Sequence, residues 1–250
     1  MSDIKEQIAS HRSIRKYQSK PIPDDVLNQI LEAGICASNT GNMQVYSMIV
    51  TKDETLRQQL WEVHFRQKMV LQAPVHITFC ADINRFNKWC RARGAEPAYN
   101  NLLWFCNATI DATLASQNVA LAAESFGLGI CYLGTTVYNA DRIINILKLP
   151  EGVVPVTTLV AGYPDEQPPL TGRLPIKAVV HNETYHDYAN EDIDHLYSEL
   201  EATEQTRHLL ETNRKKTLAQ VFTDNRYTKK DNEVASVAYF NAMKRQGWIL

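Results

Sequence analysis

The chain has 250 residues, 44% of them hydrophobic and 22% charged, with a formal charge of -2 and an isoelectric point near 6.4. This balance fits an ordinary globular protein and argues against a nucleic-acid binder. No apolar run is long enough for a membrane span and the first ten residues lack a signal-peptide pattern, so a cytoplasmic protein without membrane or nucleic-acid partners is expected.

Ile4 and Ile8 stand one turn apart and predict a short amphipathic helix capped by Ser2 or Asp3. It ends at His11-Arg12-Ser13-Ile14-Arg15, which opens into an extended run over residues 16–21. Basic residues are stabilised at a helix C-terminus, and that alone accounts for them. The same five residues also suit an anion cradle, because arginine offers a fork of donors and serine adds another. Pro21-Ile22-Pro23-Asp24-Asp25 then reads as a helix start, and Val26, Leu27, Ile30 and Leu31 carry the helix to about Gly34. The loop Ala37-Ser38-Asn39-Thr40-Gly41-Asn42-Met43-Gln44 leads into a strand over residues 45–51. Loops of this composition ordinarily cap helices and turn corners, but this one also has the groups to hydrogen-bond a heteroaromatic ring.

Residues 53–72 read as one helix through Leu56, Leu60, Val63 and Met69, interrupted by Pro74 and followed by a strand over 75–81. Residues 82–93 are polar and read as helical. Residues 100–126 form the longest apolar segment, with only Asp111 and Glu124 charged. A helix apolar on nearly every side must be buried on nearly every side, in one core or in a homodimer interface. Gly127-Leu128-Gly129 stops it and a short strand follows through Ile130-Cys131-Tyr132-Leu133-Gly134-Thr135. This is no dinucleotide fingerprint, since Tyr132 stands where the last glycine is needed and the order is helix then strand. A helix is expected over 140–147 and a strand over 153–161, with Pro155 marking a break or an edge. The loop over 162–175 carries four prolines and holds Arg173 stiffly, which is better explained by a ligand than by solvent. A charged surface helix over 190–213, a basic irregular stretch over 214–230 and a last helix over 235–243 complete the chain. With no repeat and no glycine-serine linker, one domain spanning 1–250 is expected, residues 190–250 being a C-terminal helical extension.

The five cysteines, Cys36, Cys80, Cys90, Cys106 and Cys131, are widely spaced without a C-x-x-C pair and are expected to be buried free thiols. No metalloprotease motif, nucleophile elbow or carboxylate pair is present, and His181 and His186 lack a third metal ligand. An enzyme with so few catalytic side chains leaves the hard chemistry to a cofactor.

His11-Arg12-Ser13-Ile14-Arg15 resembles the N-terminal signature of the FMN-dependent nitroreductases. The order of later features is similar too: the polar loop ending in Gln44, Gln67 before a strand, Gly127-Leu128-Gly129 with Tyr132-Leu133-Gly134, and Arg173-Leu174-Pro175. The resemblance covers roughly residues 1–190, more weakly Gln246-Gly247-Trp248, and is greatest to the oxygen-insensitive nitroreductase A and NADPH–flavin oxidoreductase branch. It implies an α+β fold, a mainly antiparallel sheet flanked by helices, and a homodimer with FMN at the subunit interface. It implies that His11, Arg12, Ser13 and Arg173 surround the phosphate and ribityl chain, and that Arg15 lies near the N1 and C2 carbonyl edge. Gln67 would face the pyrimidine edge, Tyr132, Leu133, Gly134 and Thr135 would pass beside N5, and Ser38, Asn39, Thr40 and Gln44 would come from the other subunit. Thr171 stands where the branch often has lysine, leaving Lys20 or Lys177 to supply that charge.

The implied activity is two-electron transfer from NAD(P)H, NADPH favoured, to nitroaromatics, quinones or free flavin by a ping-pong cycle. No catalytic side chain and no metal is implied. Two other classes fit the same residues: a flavin-binding or carrier protein, and a specialised member of the superfamily such as a dehydrogenase or dehalogenase. NADPH oxidation with and without a nitroaromatic separates them.

Overall fold

The computed structural model describes residues 4–249, so the expected caps Ser2 and Asp3 lie outside the described residues. Four strands form one antiparallel sheet: β1 (Tyr46–Thr51), β2 (Val75–Asp82), β3 (Gly129–Leu133) and β4 (Val153–Gly162), in the order β1-β2-β4-β3. Strand β2 is buried at every residue because it is central and covered on both faces. Its alternate residues divide between the faces. Val75, Ile77 and Phe79 meet Ala112, Ala115 and Val119 of α6 (Leu102–Ser125), beneath α2 (Asp24–Ile35). Cys80 lies on the other face with Ala140 and Ile144 of α7 (Ala140–Leu147). The expected α+β architecture with a mainly antiparallel sheet is thus what the chain forms.

Pro155 sits in β4, an interior strand rather than an edge. The register shifts beside it: Thr157 faces Phe79 and Pro155 faces Cys80, leaving Val156 without an opposite residue. A bulge accommodates a residue with no N–H to donate.

Several expected elements differ. The single helix over 53–72 is two, α3 (Glu54–Val63) and α4 (Lys68–Gln72), separated at His64 by Phe65 and Arg66 with φ of 55° and 54°. The apolar pattern runs through the break because Val63 and Met69 are both buried. The helix over 190–213 divides into α8 (Asn190–Glu201) and α9 (Glu204–Asn213), where the Thr203 hydroxyl accepts the Thr206 N–H and caps a new start. The stretch over 214–230 is not irregular throughout: it holds α10 (Leu218–Val221) and a π-helical turn over Phe222–Arg226. The last helix, α11 (Lys229–Arg245), is longer than expected. Of the remaining helices, α1 (Ile4–Ala9) leaves Ile4 and Ile8 62% and 54% exposed, and α5 (Asn84–Arg91) follows β2.

The chain divides into two compact units, residues 1–169 with 235–250, and residues 170–234. In the first, the end of the chain is pinned to the core. Gln246 Nε2 donates to the carbonyls of Leu149, Pro150 and Val153, and the Trp248 ring packs edge-on to Phe105 at 5.1 Å. In the second, Leu196, Thr206, Leu218 and Val221 are buried.

Within one chain the core does not cover helix α6 on every side. Phe105, Ala108, Ala112 and Ala115 are buried, but Leu103, Ile110 and Leu114 on the opposite face are 66%, 52% and 43% exposed. All five cysteines are free as expected, yet only Cys80, Cys90 and Cys131 are buried, Cys36 and Cys106 being exposed. Among the described residues no helix is long and apolar enough to cross a membrane.

Candidate functional site

After α1 the chain runs along the outer edge of β3. Ser13 bridges Ile130 in parallel fashion and the Ile14 N–H donates to the Ile130 carbonyl at 2.9 Å. Gly129 permits this approach, since a Cβ there would lie 2.5 Å from Ile14 Cγ1. Gly129→Ala is therefore expected to lower stability by about 1–3 kcal/mol through overpacking, read as a lower thermal midpoint. An unchanged midpoint would mean that the strand edge yields freely.

This segment borders a cavity of 680 Å³ lined by Gln7, His11, Arg12, Glu124, Gly129 and Glu166 among others. Glu124 Oε1 holds His11 Nδ1 at 2.5 Å, and Glu166 Oε1 accepts the Arg15 N–H at 2.5 Å. Arg12 Nη1 donates to the Ser10 carbonyl at 2.9 Å, but Arg12 Nε is buried with no partner. An unmatched buried donor is costly, and a ligand oxygen would relieve it.

Three segments meet at the far end of β3, where Ile14, Tyr17, Met69, Val70, Cys131 and Leu133 pack together. Beside that cluster Gln67 and Thr135 are joined through His64, while Arg15 is exposed, its Nη1 donating to the Ser13 carbonyl at 3.5 Å. Gln67 Nε2 donates to the His64 carbonyl at 3.0 Å, Thr135 Oγ1 lies 2.7 Å from His64 Nδ1, and the Tyr132 hydroxyl donates to Ser116 Oγ at 3.1 Å. Leu133 is buried, and Gly134 has open space where a Cβ would stand. Burial lowers His64 to about 4, with His76 adding repulsion; burial also lowers His76 to about 4, against the raising effect of its bond to the Val70 carbonyl.

The polar loop lies elsewhere. Asp111, buried in α6, accepts from Thr40 N–H at 2.9 Å, Thr40 Oγ1 at 3.1 Å and Val45 N–H at 3.4 Å. Asn39 Oδ1 accepts the Gln44 N–H at 3.3 Å, while Ser38 is exposed. This loop enters β1, the edge of the sheet opposite β3. Three strand spacings, about 14 Å, separate those edges, and among the described residues no hydrogen bond joins Ser38, Asn39, Thr40 or Gln44 to Arg15 or Gln67. Arg173 belongs to the second unit, exposed, its Nη1 donating to the carbonyls of Thr171 and Gly172. Lys20 Nζ lies 3.9 Å from the Tyr163 ring centroid.

The model of the nitroreductase family matches residues 8–163. The chain belongs to the nitroreductase family. It is 36% identical over 185 residues to the oxygen-insensitive NADPH nitroreductase of Salmonella typhimurium, covering 74% of this chain and 75% of that protein. It is 32% identical over 187 residues to the FMN reductase (NADPH) of Bacillus subtilis, with coverage of 74% and 75%. Among solved structures, a candidate oxidoreductase from Bacteroides fragilis superposes with a TM-score of 0.96 at 49% identity over 98% of this chain and 100% of that one. The NfrA1 nitroreductase of B. subtilis does so with 0.87 at 28% identity, covering 98% and 99%.

In this nitroreductase, residues to which sequence reasoning assigned no role also make contacts with these segments. Asp111 and Glu124, the two charges of an otherwise apolar helix, hold the loop at Thr40 and the ring of His11 respectively. Their isolation in an apolar run was the available signal, because a charge is kept in such a helix only where something pairs with it. His64 gave no signal; its contacts arise from the chain reversal at Phe65 and Arg66. His181 accepts the His186 N–H on Nδ1 at 3.2 Å, and among the described residues no group of three or more His, Cys, Asp or Glu can hold a metal.

Proposed function

We propose that this nitroreductase transfers two electrons from NAD(P)H, NADPH favoured, to nitroaromatics, quinones or free flavin, with FMN bound in a cytoplasmic homodimer. The observation that carries the reading is Arg12 Nε: a buried, unpartnered guanidinium donor beside a cavity, in the segment that edges β3. Such a donor fits a phosphate oxygen. The unused Gln67 Oε1 and the open position at Gly134 fit the ring end of the same cofactor. Bound FMN would supply hydride chemistry, which accounts for a chain with no nucleophile or carboxylate pair of its own.

Arg12 and Ser13 would hold the phosphate, and His11, oriented by Glu124, would border the ribityl chain. Arg15 would set a positive charge against the N1 and C2 carbonyl edge, where it would favour an anionic over a neutral ring. The backbone of residues 132–135 would line the ring beside Gln67. Ser38, Asn39, Thr40 and Gln44 would come from a second copy. Their position at the opposite edge of the sheet and the exposed stripe Leu103, Ile110 and Leu114 support that arrangement. Relatives named for NADPH support that coenzyme. A cytoplasmic location suits five free thiols.

Arg12→Ala tests the reading. Loss of a charge-assisted bond of about 1.5–3 kcal/mol is expected to weaken FMN roughly ten- to hundred-fold in titrations of flavin-free protein. The parent is expected to purify yellow and to give parallel double-reciprocal lines with NADPH and a nitroaromatic, since both substrates use one site in turn. A parent protein that takes up no FMN overturns the proposal; intersecting lines overturn the ping-pong order alone.

A further inference from the structure

His64 is fully buried at the break between α3 and α4, and it touches both halves of the proposed flavin end of the site. Its ring Nδ1 lies 2.7 Å from Thr135 Oγ1, and its backbone carbonyl accepts from Gln67 Nε2 at 3.0 Å. The neighbouring contacts fasten the same two segments: Asn139 Nδ2 donates to the Val63 carbonyl at 2.7 Å, and the Phe65 ring meets Tyr138 edge-on at 6.3 Å. Phe65 and Arg66 adopt left-handed backbone on the way to Gln67, a conformation unfavourable for side-chain-bearing residues that persists only where the surroundings enforce it.

The hydrogen-bond polarity of this cluster follows from which atoms lack partners. His64 Nε2 is buried and has none. A proton there would be an orphaned buried N–H, which is rarer and more costly than an acceptor left bare. The proton therefore belongs on Nδ1 and is donated to Thr135 Oγ1. Buried His76 follows the same pattern: its Nε2 faces the Val70 carbonyl, which can only accept, and its Nδ1 is bare. With its oxygen already accepting from His64, Thr135 keeps its own hydroxyl proton for another acceptor, and no other side-chain bond of Thr135 consumes it. Gln67 is oriented with equal certainty, because a carbonyl can accept only from the amide nitrogen. Its Oε1 is left to accept from a ligand.

We propose that His64 is a positioning residue for the flavin, fixing Thr135 as a hydrogen-bond donor and Gln67 as an acceptor toward the ring. Neither polarity is intrinsic to the residue: a hydroxyl donates or accepts, and an amide flips. The pair presents one donor and one acceptor, a pattern complementary to the acceptors and the N–H of an isoalloxazine. The proposal rests on the FMN reading.

Five proteins test it: the parent, His64→Leu, His64→Asn, Thr135→Val and the double variant His64→Leu with Thr135→Val, each prepared flavin-free and titrated with FMN. Leucine removes the donor at similar volume, whereas the asparagine amide can replace Nδ1–H. His64→Leu is expected to weaken FMN about ten-fold and to shift the flavin absorption bands, Thr135→Val to do the same, and their combination to add little more. His64→Asn is expected to stay within about two-fold of the parent. Should His64→Leu not fold, Thr135→Val against His64→Asn carries the comparison. Imidazole 15N shifts of the flavin-free parent are expected to report the Nδ1–H form of His64. Parent-like binding and spectra in both His64→Leu and Thr135→Val, or an Nε2–H tautomer, would overturn the role of His64. A parent that binds no FMN would instead overturn the flavin reading, and the proposal with it.

Discussion

Ile110→Glu is expected to yield a monomer that retains little FMN. Leu103, Ile110 and Leu114 form an apolar stripe along the outer face of α6 and are exposed in one chain. In the proposed homodimer a symmetry axis brings the stripe of one copy against its partner, so each substitution counts twice. Placing an unpaired carboxylate in such an interface costs several kcal/mol; about 4 kcal/mol in total raises the dissociation constant roughly a thousand-fold. Flavin is lost with the dimer because Ser38, Asn39, Thr40 and Gln44 stand at the sheet edge away from Arg15 and Gln67. Sedimentation velocity with detection at the flavin absorption band checks both effects together. A flavin-loaded dimer in the variant would place the interface away from this stripe, and a flavin-loaded monomer would sink the composite site.

Acid is expected to unfold the protein by way of two histidines. His64 and His76 are buried and neutral, with values lowered to about 4 from an ordinary 6.5. Below pH 6.5 the unfolded chain takes up protons at these rings while the native chain does not, so protons favour unfolding. The stability each neutral ring contributes is present above about pH 6.5 and is lost as pH falls toward 4, at about 1.4 kcal/mol per pH unit, or on the order of 3 kcal/mol per histidine. Urea unfolding midpoints measured from about pH 7 to about pH 4.5 are expected to fall steeply, and His76→Phe to remove part of that slope. A flat profile would show that neither ring is held neutral.

Much of the fold was legible because its signals are local. Helix α7 carries a clear apolar face and begins and ends where its pattern does. The stop at Gly127, with φ of 74°, is one that its lack of a side chain announces. The break at Phe65 and Arg66 was hidden for the converse reason: these residues adopt the conformation glycine signals, without being glycine, and the apolar spacing continues across them. The split at Thr203 was hidden among charged residues, where no apolar stripe marks a change of axis. In the site, His11 and Arg12 could be read as a cluster because they are adjacent. The unpartnered state of Arg12 Nε and the bonds from Asp111 to a loop 71 residues away are properties of the packed chain.

The pinned residues 242–249 bear on how the polypeptide folds as it is made. Ala242, Met243, Gln246 and Trp248 are buried among segments synthesised about a hundred residues earlier or more, and Gly152 N–H donates to the Gln246 carbonyl at 2.8 Å. A nascent chain still holding these residues in the ribosome lacks a wall of its core beside Phe105 and Val154. The first unit is therefore completed after translation of the intervening residues 170–234, and premature termination within α11 leaves an open apolar face for chaperones and proteases to detect.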